Sequence, residues 1–138
     1  MATRRRSREV ALQMLFQYDT HGGEMPIRET VRLYRESFGE GPLPDDFSIE
    51  LFTLVAENLV AIDEVLVASS ENWRLDRMSR VDRNILRLGV HEITSGGEVP
   101  VRVAINEAVE LAKRFGTAES AAFVNGILDR VARDQQRL

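Results

Sequence analysis

Apolar residues recur along this chain at intervals of three and four, and no stretch of useful length alternates strictly between apolar and polar. That spacing confines it to helices, because a 3.6-residue turn gathers positions i, i+3, i+4 and i+7 on one face, whereas a half-buried strand needs strict alternation. Val10, Ala11, Met14, Leu15 and Tyr18 form the first stripe, and Ile27, Val31, Tyr34 and Phe38 form the second. Ser48 can cap a long helix whose inner face is Leu51, Phe52, Val55, Leu59, Ile62 and Leu66. Ser79 can cap another, with Val81, Ile85, Leu86 and Leu88 inward. "VRVAINEAVELAKRFG" then places Ile105, Ala108, Val109, Ala112 and Phe115 together, with Gly116 suited to its C-terminus and Thr117 to the next N-cap. The last helix, from about Ala118, turns Ala121, Val124, Ile127, Leu128 and Val131 inward. The expected fold class is all-α.

The stripes are separated by "HGGEMP" (21–26), "GEGPLPDD" (39–46), the irregular "SSENWRLDRM" (69–78) and "SGGEVP" (95–100). The second of these holds two of the four prolines and two of the nine glycines, which makes it a loop and a natural subdomain joint. At 138 residues the chain is one domain's worth, or two small helical subdomains, and a domain of this size buries roughly two-thirds of its unfolded surface. No cysteine is present, which removes disulfides, thiol nucleophiles and thiolate metal sites.

Catalytic and metal chemistry find no foothold in the motifs. Glu-x-x-His is absent, since Tyr18 and Leu88 stand three residues before His21 and His91. His91-Glu92 lacks the second histidine of a zinc protease, and there is no Walker loop, G-x-G-x-x-G or G-x-S-x-G. Both histidines read as surface or loop residues. No cofactor, metal ligand or catalytic residue is expected. The arginines before "VALQMLF" resemble the start of a secretory signal, but Gln13 and Gln17 interrupt the apolar run and no small-residue cleavage site follows. No stretch approaches the roughly 18 uninterrupted apolar residues of a membrane span, so a cytoplasmic protein without membrane partners is expected.

Three surfaces do not suit a bland helical protein. Arg4, Arg5, Arg6 and Arg8 against Glu9 give the first ten residues +3, so within a chain of net −4 the remainder carries −7. Cations at a helix N-terminus oppose its dipole by a few tenths of a kcal/mol each. At 100° per residue the four arginines fan around the axis, which suits a grip on phosphates or a flexible arm better than a salt-bridge stripe; the alternative is a solubilising cluster. On the last helix Phe123 lies roughly 100° off the apolar stripe, on the outer side with Glu119, Gly126 and Arg130, where it could stack a base or be covered by a second packing face. On the first, Leu12 and Phe16 project opposite the Met14 stripe. Either this helix is buried on two sides or Phe16 belongs to a protein-binding patch.

"RRRSREVALQMLFQYD", "RVDRNILRLGVHEI" and "VPVRVAINEAVELAKRFGTAESAAFVNGILDRV" together resemble the transcription antitermination factor NusB family. The pairing of "INEAVELAKRFG" with "FVNGILD" carries most of the specificity, and residues about 20–50 carry least. The resemblance implies a NusB-like bundle of about seven helices in two small subdomains, about 1–75 and about 76–138, packed as a single domain without catalytic activity. It implies binding to the boxA element of nascent ribosomal-RNA leader transcripts, together with the small-subunit ribosomal protein NusE, in a complex that lets RNA polymerase pass terminators. RNA contacts are implied at Arg4, Arg5, Arg6 and Arg8 and at Glu119 and Phe123. NusE contacts are implied at Phe16, where a family member can carry tyrosine, and at Asp82, which shortens the family's glutamate. The family contains monomers and homodimers, so a homodimer is compatible with the resemblance.

Two other classes stand beside this reading. A non-catalytic helical interaction module would bind protein only, with the arginines merely solubilising. The same helical domain also precedes the catalytic part of certain ribosomal-RNA cytosine methyltransferases. With Leu138 only seven residues past Val131 there is no stretch here for such a part, so a stand-alone domain of an RNA-modification system would need a separate catalytic chain.

Overall fold

A computed structural model describes residues 3–37, 44–70, 74–97 and 99–137, and among them there are seven α-helices, one 3-10 turn and no strand. The helices are α1 (Arg4–Thr20), α2 (Ile27–Ser37), α3 (Asp46–Glu57), α4 (Leu59–Ser69), α5 (Arg80–Thr94), α6 (Val101–Phe115) and α7 (Ser120–Asp134), with the 3-10 turn at Leu75–Arg77. The chain divides into two compact units, Met1–Glu57 and Asn58–Leu138. The expected Phe38 and most of the proline-rich loop lie outside the described residues.

In the first unit α1 packs on α3 and on α2. The expected α1 stripe is buried at Val10, Ala11, Met14 and Leu15, and it meets Tyr34 of α2 and Phe52 and Val55 of α3 in the core. Tyr18 crosses the Phe52 ring edge-on, with centroids 5.8 Å apart. The buried Tyr34 hydroxyl donates to Gln13 Oε1 at 2.9 Å, which satisfies a polar group that would otherwise cost 1–3 kcal/mol.

The start of α3 differs from expectation in an instructive way. Ser48 is not the cap but the third residue inside the helix, and Asp45 caps it. The Asp45 carboxylate accepts the Ser48 N–H at 2.9 Å, and the Ser48 hydroxyl accepts the Asp45 N–H at 2.9 Å. This is a reciprocal capping box with serine standing where glutamate or glutamine is usual. The second carboxylate oxygen of Asp45 accepts a 2.6 Å hydrogen bond from Ser7 of α1, so one residue caps α3 and ties it to α1. The continuous helix expected from 48 to 66 is broken at Asn58, whose φ of −112° and ψ of 22° leave the helical region.

The break at Asn58 is also the border between the units. The expected border near residue 75 would have kept α4 with the N-terminal subdomain, but α4 packs on α5 and α7 instead. Ile62 and Leu66 supply its buried face. Near its middle Asp63 receives a two-pronged ion pair from Arg87 of α5, with both N···O distances 2.8 Å, the fork-on-fork geometry of a guanidinium on a carboxylate. Arg87 also donates to Asn84 at 3.0 Å. At its other end Ser69 donates to Asp134 of α7 at 2.9 Å. Ser79 caps α5 as expected, accepting the Asp82 N–H at 3.1 Å.

α5, α6 and α7 pack against one another, and α7 comes close to α5 at Gly89. A Cβ there would lie 2.5 Å from Cδ1 and 3.0 Å from Cδ2 of Leu128. Leu128 is fully buried, so moving it aside must displace packed neighbours.

Two predictions follow from this packing. Gly89→Ala should lower unfolding stability by about 1–3 kcal/mol through overpacking, read as a fall in the urea midpoint at unchanged m-value; an unaltered midpoint would mean that α5 and α7 can separate freely. Asp45→Ala should cost about 1–2 kcal/mol at pH 7. Burial pushes the Asp45 carboxyl up, but hydrogen bonds from Ser7 and Ser48 outweigh it and hold its pKa below the usual carboxylate range. A depressed pKa stabilises the fold above the ordinary carboxylate value near 4 and loses that contribution as pH falls through the folded-state value. The gap between wild type and Asp45→Ala in urea should therefore be full at pH 7 and shrink below about pH 4. A gap that persists at pH 3 would show that the carboxylate charge is not what holds the cap.

Candidate nucleic-acid interface

The basic N-terminus is helix, not a loose arm. Thr3 caps α1, its hydroxyl accepting the Arg6 N–H at 3.1 Å. Arg4, Arg5 and Arg6 therefore occupy the first turn, and all three are exposed. No acidic residue lies in that turn to balance the cations; Glu9 stands 3.9 Å from Arg6.

Arg8 departs from the expected fan of exposed cations. It is 5% exposed, with its guanidinium carbon 5.6 Å from the centroid of Phe47 on α3. Arg4 covers the same ring at 4.0 Å. Phe47 thus serves two arginines four residues apart, the spacing of neighbours on one helical face. Cation–π contacts of this kind contribute about 0.5–1 kcal/mol at exposed sites. Stacking occupies a flat face of the guanidinium and leaves its in-plane N–H donors for oxygen acceptors. Reading the sequence missed Phe47. The only local signal was the "DDFS" capping pattern that starts α3, and that says nothing about which helix the ring will meet.

The second set lies on α7. Gly116 ends α6 and Thr117 opens the turn into α7. The Thr117 N–H donates to Ser120 Oγ at 2.9 Å, and Glu119 rather than the expected Thr117 stands at the N-cap position, without a side-chain capping bond. The Glu119 carboxylate accepts the Thr117 hydroxyl at 3.3 Å. From there the inner stripe Val124, Ile127, Leu128 and Val131 is buried as expected, which turns Glu119, Ala122, Gly126 and Arg130 to the exposed side with Phe123 half-buried beside them. Arg130 is held by Asp134 at 3.3 Å and Arg133 by Asp129 at 2.9 Å, so this strip has little net charge of its own. The arginine turn belongs to the first unit and the Phe123 strip to the second.

Of the two residues expected to face a protein partner, Phe16 is 40% exposed, whereas Leu12 on the same side of α1 is buried at 3%. Phe16 borders a groove of about 390 Å3 with Gln13, Gln17, Thr20 and Ser37, and the enclosed Gln17 Oε1 has no hydrogen-bond partner. Asp82 stands in the first turn of α5, in the second unit, half-buried, with its Oδ1 enclosed and unpartnered. An enclosed acceptor without a donor carries a desolvation penalty of about 1–3 kcal/mol, which a donor from another molecule would relieve. Among the described residues no cluster of three or more histidine or acidic side chains could hold a metal ion, and no helix is long and apolar enough to cross a membrane.

The NusB family model matches residues 5–133. A transcription antitermination protein NusB from Sorangium cellulosum is 49% identical over 138 residues, covering 100% of this chain and 97% of the relative. A second, from Trichlorobacter lovleyi, is 45% identical over 99% of this chain and 97% of its own. Among solved structures, T. maritima NusB is 35% identical with a TM-score of 0.77, over 99% of each chain. A crystal structure of the antitermination factors NusB and NusE in complex with dsRNA contains a chain 23% identical with a TM-score of 0.79, over 95% of this chain and 96% of that one; at that identity the likeness shows the fold alone.

Proposed function

The chain belongs to the NusB family, and we propose that it is a non-catalytic, cytoplasmic transcription antitermination factor. In this reading it binds the boxA element of nascent ribosomal-RNA leader transcripts together with NusE and helps RNA polymerase pass terminators. The observation that carries the proposal is the full-length likeness to a relative named as a transcription antitermination protein, 49% identical, joined to an exposed arginine turn on an otherwise acidic molecule.

Each residue set has a distinct task. Arg4, Arg5 and Arg6 contact phosphates, which positions the RNA but carries no sequence information. Arg8, enclosed beside Phe47, supports that turn from within. Phe123 supplies a stacking surface for a splayed base, the usual means of reading single-stranded RNA, and Glu119 can accept a hydrogen bond from a base edge. Phe16 and its groove, with the unpartnered Asp82 oxygen, serve NusE. The acidic remainder limits indiscriminate attraction to RNA. An all-protein role is the second reading, favoured by the exposed Phe16.

The test is fluorescence anisotropy of labelled boxA RNA, with and without NusE, against a scrambled RNA. A boxA preference that tightens with NusE is expected. Changing Arg4, Arg5 and Arg6 together to Ala should weaken binding and, at about 0.7 per phosphate contact for a single strand, flatten the log–log salt dependence by about 2, with helicity by circular dichroism unchanged. Equal, weak binding to both RNAs, with or without NusE, would overturn the RNA reading in favour of the protein-interaction module.

A further inference from the structure

Several exposed arginines of this chain are oriented by carboxylates. Arg32 lies against Glu29 and Glu36, Arg74 against Asp76, Arg130 against Asp134 and Arg133 against Asp129. A carboxylate fixes a guanidinium by occupying its in-plane N–H donors and offsetting its charge. Those are the two properties that a phosphate would use. Within the basic turn, Arg6 is partly offset in this way by Glu9. Arg4 is held differently. Its guanidinium carbon lies 4.0 Å from the centroid of the Phe47 ring, and an aromatic face attracts a cation without accepting from its in-plane N–H groups or carrying an opposing charge.

We infer that Phe47 is a positioning residue for RNA, holding the Arg4 guanidinium at the start of α1 with its donors and charge left for a backbone phosphate. The inference rests on the RNA-binding reading above and adds to it a residue that acts through Arg4. Phe47 is the second residue of α3, directly behind the Asp45 cap. Asp45 in turn accepts a 2.6 Å hydrogen bond from Ser7 of α1, so the ring and the arginine ride on helices bonded to each other beside them. Phe47 is half-buried while Arg4 is exposed, which seats the ring in the fold and leaves the cation open to a ligand. Arg8, one turn on, lies 5.6 Å from the same ring and is 5% exposed. Its charge adds to the local field from a place where salt screens it least. An arginine that orders only when RNA arrives loses its rotamer freedom at that moment, whereas one already stacked has lost it on folding.

The test is a double-mutant cycle on Phe47 and Arg4, read by anisotropy of labelled boxA RNA at fixed salt. Phe47→Leu keeps an apolar side chain but removes the aromatic face, and it should weaken binding about threefold. Phe47→Met, also apolar and without a ring, should do the same, so the cycle does not hang on the folding of one variant. Phe47→Tyr keeps the ring and should retain wild-type affinity. Combined with Arg4→Ala, either ringless variant should cost nothing further, because the cation it positions is gone. In the NMR spectrum of the free protein, the ring should shift the Arg4 δ protons upfield in wild type and Phe47→Tyr, and that shift should vanish in Phe47→Leu and Phe47→Met. A loss of affinity that persists in the Arg4→Ala background would overturn the inference and make Phe47 a support of the fold. Unshifted Arg4 protons in wild type would overturn it too, as would a Phe47→Tyr variant as weak as the ringless ones. If wild type itself does not prefer boxA to scrambled RNA, the RNA-binding reading fails and this inference fails with it; a wild-type preference that both ringless variants leave intact overturns the inference alone.

Discussion

In the second unit everything at the surface of α7 depends on how close α7 comes to α5. Gly89 leaves no room for even one carbon before Leu128. This close approach lets Leu128 and its neighbours Val124, Ile127 and Val131 sink fully or nearly so. Once that stripe is committed inward, 100° per residue leaves no choice about what faces out. Glu119, Gly126 and Arg130 emerge together, with Phe123 at their edge. The position of the aromatic ring is thus set by the packing of the buried stripe beside it. The Arg87–Asp63 ion pair at the middle of α4 and the Ser69–Asp134 hydrogen bond at its C-terminal end add α4 to the same assembly. A half-enclosed pair of this kind specifies register more surely than it adds net stability.

The first unit solves a different problem, holding several cations at the positive end of a helix dipole. The Thr3 cap satisfies an amide, and Ser7, one turn on, reaches a carboxylate that belongs to α3 rather than to α1. Asp45 places negative charge near a basic helix start and at the same time caps its own helix, where the dipole favours an anion. Phe47, two residues later on α3, then stacks under Arg4 and Arg8. The capping box and the ring are one local device. The box fixes where α3 begins, and the beginning of α3 fixes where Phe47 points.

The helices, their inner faces and several of their ends were legible in the sequence, because each follows from spacing within about 15 residues. Ser79 as a cap, the buried stripe of α7 and the outward side holding Phe123 are examples. What could not be read depends on partners distant in the chain. Ser48 and Asp45 are both good capping residues, and the choice between them was settled by Ser7, 38 residues upstream. The periodicity ran unbroken through Asn58 because α3 and α4 both bury apolar faces; only the packing of α4 on α5 and α7 shows that they belong to different units. Arg8 looked like its three neighbours until Phe47, 39 residues on, enclosed it. Residue type announced the basic turn, and tertiary contact decided which of its members stayed outside.

The two helical glycines show how far a structure can separate fold from function where a sequence cannot. On the page of letters Gly89 and Gly126 are equivalent interruptions of good helical pattern, each weakening its helix by about 1 kcal/mol relative to alanine. At Gly89 the fold recovers that cost through packing, since the absent side chain is what admits Leu128. At Gly126 no side chain among the described residues comes close enough to make such a recovery. A sequence that is otherwise consistent from local propensity to core packing breaks its own rules chiefly where something outside the fold sets the terms. Phe123 and Gly126 stand one turn apart on the outward side of α7, Phe123 half-buried and Gly126 exposed with open space beyond its backbone.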